Sequence, residues 1–110
     1  MQEPTPEERI AELEERVRDL EANQQEAAAL FLDMQRLLAL SQLHFYTYVG
    51  SQELRGKTNA SGRECRSRLA QFATSTQSEI LASMTPMDIV RNRWLAFVAY
   101  CSTHGIEIHA

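Results

Sequence analysis

At 110 residues the chain has the length of one domain and can bury only a modest core by itself. Its hydrophobic fraction of 44% excludes general disorder, while few glycines and prolines and almost no alternating apolar pattern point to an all-α protein. The net charge of −4 is unevenly spread. Residues 1–50 carry ten acids and four bases, and residues 51–110 five acids and seven bases, a basic excess too small for a dedicated nucleic-acid binder.

No segment near the N-terminus resembles a signal peptide, and none is apolar for long enough to span a bilayer. The expected compartment is therefore the cytoplasm, with no membrane partner and with Cys65 and Cys101 as reduced thiols. The sequon Asn59-Ala60-Ser61 then carries no sugar.

Residues 1–5 read as a disordered start. Thr5-Pro6-Glu7-Glu8 combines an N-cap threonine, a proline at the first helical position and a glutamate three residues after the cap. No glycine or proline follows before Gly50, which predicts one long helix over residues 6–49. Its heptads place Ile10, Val17, Gln24, Phe31, Leu38 and Phe45 at a, and Leu13, Leu20, Ala27, Met34, Ser41 and Tyr48 at d. The first two heptads have β-branched a and leucine d residues, a parallel two-stranded pattern. Arg9 and Arg16 at g would face Glu14 and Glu21 at e of a partner helix. The same charges can also pair within one helix, as Glu12–Arg16 or Glu14–Arg18. The apolar seam is the stronger argument for a homodimer, held by Ile10, Leu13, Val17, Leu20 and Phe31, with Gln24 as a polar layer. An antiparallel arrangement, with the seam packed elsewhere on a second copy, is left open.

After Ala27 the stripe broadens. Leu30 and Leu37 lie at g, with Leu32, Leu40 and Leu43 beside them, so this half should pack on the remaining helices. Residues 50–62 are polar with three glycines and read as a loop. Residues 63–104 read as a helical hairpin. In its first helix Cys65, Leu69, Phe72, Thr76, Ile80 and Met84 form a spaced stripe. Thr85-Pro86-Met87-Asp88 repeats the start chemistry of Thr5-Pro6-Glu7-Glu8, and Gly105 is a natural helix stop, leaving 105–110 as a tail.

Chemistry-bearing groups are sparse. Cys101-x-x-His104, with His109 near, offers two or three metal ligands, and only Cys65 or His44 could complete four. No metal or cofactor is expected from that set. Cys101 and His104 also have the types of a nucleophile–base pair, but no oxyanion motif or orienting third group accompanies them, and no phosphate loop or paired-carboxylate motif is present. Arg63, Arg66, Arg68, Arg91 and Arg93 flank a tight turn, as in a helix-turn-helix. Against that, "WLAFVAYC" (94–101) leaves little polar surface for base edges, and Asp88 would meet phosphates.

A helix apolar on nearly every side is either central or covered by a partner. Leu32, Leu40, Trp94, Phe97 and Tyr100 are therefore the expected partner-binding residues. The expectation is a non-catalytic dimeric helical regulator, of adaptor or anti-activator type, that binds another protein, a regulatory protein being one candidate. A dimeric DNA-binding regulator and an assembly protein docking through its coil are the alternatives.

Overall fold

The structure is a computed structural model and describes residues 3–109; the remainder of the expected disordered start, Met1 and Gln2, lies outside them. The described residues form three helices and no strand: α1 (Pro6–Glu53), α2 (Ala60–Ala82) and α3 (Pro86–Thr103). The chain divides into a unit ending at Asp33 and a unit beginning at Met34.

The first unit is helix from Pro6 onward, and every described residue in it is exposed except Leu32, which is half-buried. Its start is a capping box. Glu8 N donates to Thr5 Oγ1 at 3.2 Å, and Thr5 N donates to Glu8 Oε2 at 3.3 Å, so two amides at the helix entrance are satisfied reciprocally. Arg16 lies 3.7 Å from Glu12, one turn back; both are well exposed, so the pair adds little.

The second unit is the α2–α3 hairpin with the last five turns of α1 laid against it. α1 does not stop at Gly50 but runs through it to Glu53, and α2 starts at Ala60, so the expected loop over 50–62 contracts to 54–59. Gly50 is a packing residue. A Cβ built there would stand 2.8 Å from Leu69 Cδ1 and 3.5 Å from Phe97 Cε1, so a side chain at this position has to displace the end of Leu69. Gly56, at φ +79°, lies within the contracted loop. Asn59 then caps α2, its side chain accepting from Gly62 N at 2.9 Å.

Thr85 does not repeat the Thr5 cap. Its side chain makes no capping bond, and its amide donates to Ser83 Oγ at 2.9 Å. Pro86 alone, with Ile89 N bonded to Thr85 O at 3.2 Å, opens α3. At the other end Ile106 N donates to Cys101 O (2.9 Å) and Gly105 N to Ser102 O (3.0 Å), with Gly105 at φ +77°. This is a Schellman motif, whose accompanying apolar contact is supplied by the buried Ile106.

Cys65, Leu69, Phe72, Thr76 and Ile80 are all buried, as their spacing predicts; Met84, two residues past the end of α2, is exposed. They meet Val90, Trp94, Phe97 and Cys101 of α3, and Ala39 and Leu43 of α1. Trp94 is the centre of an aromatic cluster. Tyr46 stacks on it at 4.8 Å, with Phe97 at 5.3 Å and Phe72 at 5.7 Å, contacts that each add about 0.5–1.5 kcal/mol beyond burial. Leu54, from the expected loop, and Ile106 and Ile108, from the expected tail, close the core. The Thr76 hydroxyl is sealed inside it with no hydrogen-bond partner among the described residues.

Candidate functional site

The hairpin seats on one side of α1. Ala39, Leu43 and Gly50 are buried there, with Gln35, Arg36, Leu40, Gln42, Tyr46 and Val49 half-buried around them. In the heptad frame these are b, c, e and f positions. The a, d and g positions of this unit are therefore left to solvent: Met34, Leu37, Leu38, Phe45 and Tyr48 are 57–67% exposed. The sequence led us to expect a broad face packed on the hairpin. The hairpin covers one apolar face of this half and leaves another open.

The N-terminal unit has an uncovered face of its own. Ile10, Leu13, Val17 and Leu20 are 51–67% exposed, and Phe31 is 63% exposed; Gln24 is exposed between them. The expected dimerisation residues thus all stand on the surface of the single chain.

The expected partner-binding set does not stay together. Trp94 and Phe97, at 4% and 2% exposure, are core residues and present no surface. The reason is the aromatic cluster, which packs Trp94 on Tyr46 and Phe97 on Phe72. Leu40 and Tyr100 are half-buried against the core, and Leu32 is half-buried in the N-terminal unit. On α3 Leu95 (54%) faces solvent, while Leu81 (57%) and Met84 (77%) are exposed near the α2–α3 turn.

The arginines of the hairpin are largely engaged. Arg66 Nη2 donates to Leu54 O at 2.8 Å and helps close the α1–α2 turn. Arg93 binds the Glu79 carboxylate and donates to Ser75 Oγ at 3.0 Å, tying α3 to α2. Arg68 lies over the Tyr100 ring, 4.8 Å from its centroid. Arg63 and Arg91 are exposed.

Cys65 and Cys101 are free, fully buried thiols in contact with each other. Burial, and then the neighbouring Cys65, push the Cys101 thiol up to about 12. At neutral pH it is a neutral, buried thiol with no nucleophilic form. His104 is directed elsewhere. Its Nε2 sits 2.9 Å from Glu64 Oε2, and its Nδ1 lies 3.0 Å from Tyr100 O and 3.2 Å from Thr103 Oγ1. Among the described residues no three His, Cys, Asp or Glu side chains gather as a metal site, and no helix is long and apolar enough to cross a membrane.

Comparison with protein-family models, with curated proteins and with solved structures finds no match for the chain.

Proposed function

We propose that the chain is a cytoplasmic, non-catalytic, dimeric helical regulator of adaptor or anti-activator type, which binds other proteins through the apolar side of α1 and so modulates them. One observation carries this reading. The core of the second unit is complete without Met34, Leu37, Leu38, Phe45 and Tyr48, yet these large side chains stand in water together on one side of one helix. Scattered exposed apolar residues are ordinary, but an aligned set is a docking face for another amphipathic helix. The occupant is a helix from a second copy or one from the regulated protein, and exchange between the two is the means of regulation. The inert Cys101 and the engagement of His104 with Glu64 support a non-catalytic role. The internal contacts of Arg66, Arg68 and Arg93 weigh against the DNA-binding alternative.

The test is affinity capture from nuclease-treated cytoplasmic extract, followed by reconstitution of the captured protein with the pure chain. The wild type should bind directly. The double variant Leu38→Arg, Phe45→Arg should not, while its hairpin unit keeps its circular dichroism and melting. Direct binding that survives the double variant removes α1 from the function. Retention only in the presence of DNA favours the alternative.

A further inference from the structure

We infer that the occupant of the open side of α1 is a second copy of the chain lying antiparallel, so that the N-terminal segment of each copy covers the uncovered face of the other's hairpin unit. This rests on the proposed function and names the partner at the same face.

Two observations agree on the orientation, and a third on the extent of the interface. The first is charge. Residues 1–33 hold ten acids and three bases, net −7, whereas residues 34–110 hold five acids and eight bases, net +3. A parallel pair sets two strongly acidic segments side by side. An antiparallel pair sets each beside a basic unit.

The second is layer volume. In a parallel in-register pair each a or d residue meets its own copy: Ala27 meets Ala27 and Ser41 meets Ser41, leaving thin layers, while Phe31 and Phe45 stack on themselves. In an antiparallel pair whose facing a and d residue numbers sum to about 58, Ala27 meets Phe31, Val17 meets Ser41, Leu20 meets Leu38 and Leu13 meets Phe45. No layer then sets two small residues or two aromatic rings against each other, which is how a seam approaches interior packing density. The same frame places Leu30, exposed at g, beside its own copy near the two-fold axis. Glu14 and Glu21 then lie opposite Gln42 and Gln35, with no like charges in contact.

The third is area. The nine large a and d side chains, each 51–67% exposed, offer on the order of 700 Å² per copy at roughly 80 Å² apiece. That approaches the ~800 Å² per partner of a standard stable interface, and it is reached only if both uncovered faces are used.

Cross-linking decides the orientation. An untagged Leu20→Cys chain and a mass-tagged Leu38→Cys chain are mixed, allowed to exchange and mildly oxidised; Cys65 and Cys101 are fully buried and stay out of the reaction. The mixed Leu20–Leu38 product should exceed either self-product by tenfold or more. A second pair, Val17→Cys with Ser41→Cys, should behave alike and guards against one variant misfolding. Predominant self-products mean a parallel pair, and a doubled mass by light scattering without any cross-link means another face. Either result overturns the inference and leaves dimerisation standing. A monomeric mass with helicity intact overturns the dimeric reading as well.

Discussion

Thr76 and Cys101 are the two groups in this core whose polarity the packing resists. The Thr76 hydroxyl is fully buried with no partner among the described residues, and an unmet buried hydroxyl costs about 1–3 kcal/mol. Thr76→Val keeps the shape and removes the hydroxyl, so it should raise stability by about 1 kcal/mol in urea unfolding. Cys101 sets an alkaline limit. An unfolded thiol ionises near 9.0, whereas the folded one keeps its proton to about 12. Between those values the folded chain binds more protons, so stability is full below 9 and falls as pH rises toward 12. Urea midpoints at pH 8 and pH 10 should show a loss of about 1 kcal/mol in the wild type that is smaller in Cys101→Ala. The burial of Thr76 was readable in the sequence, since Leu69, Phe72, Thr76 and Ile80 share a helical stripe. Its missing partner was not, because hydrogen bonding depends on which atoms of other helices arrive.

At the scale of the element, local chemistry was legible and tertiary purpose was not. Thr5, Pro86 and Gly105 mark helix ends because capping and φ restriction act within four residues. Gly50 looked like the same kind of signal, but what it does is admit Leu69 of α2 and Phe97 of α3. Gly50→Leu should therefore cost about 2 kcal/mol or more of stability, measured by thermal or urea unfolding, through overpacking. Gly56, which meets nothing within 4 Å, should tolerate Asn, a residue that accepts its positive φ, at little cost. Thr5→Ala removes half of the capping box and should cost about 1 kcal/mol of local helix stability. Because no described residue of the first unit is buried, that loss should show as faster amide exchange near residues 8–12, with the melting of the hairpin unit unchanged. Leu54, Ile106 and Ile108 escaped notice because each is a lone apolar residue in polar surroundings, with no period to reveal its direction.

For the whole molecule, the all-helical class and the three elements followed from the sequence, and the candidate surface followed only in part. Residues 30–49 are apolar on so many sides that period alone cannot separate the face that meets the hairpin from the face that does not. "WLAFVAYC" has the same defect, which is why Trp94 and Phe97 looked like partner anchors and are core. The separation has an energetic consequence. The core lies wholly in the second unit, so a fragment of residues 34–110 should retain a cooperative melt, while residues 6–33 alone should show little helicity at micromolar concentration. Circular dichroism of the two fragments checks both. A strongly helical, concentration-independent N-terminal fragment would remove pairing as the source of that segment's order.

The bare first unit also gives the molecule a built-in gauge of its own assembly. Arg9, Arg16 and Arg18 sit in the stretch of α1 whose described residues are all exposed but Leu32, so tryptic cleavage there needs only local fraying. The arginines of the hairpin lie on packed helices, where cleavage waits for wider opening. Early nicking at the first three sites, followed against chain concentration, should slow as copies engage. The concentration of half-protection would then read the dissociation constant from an unlabelled, unmodified chain.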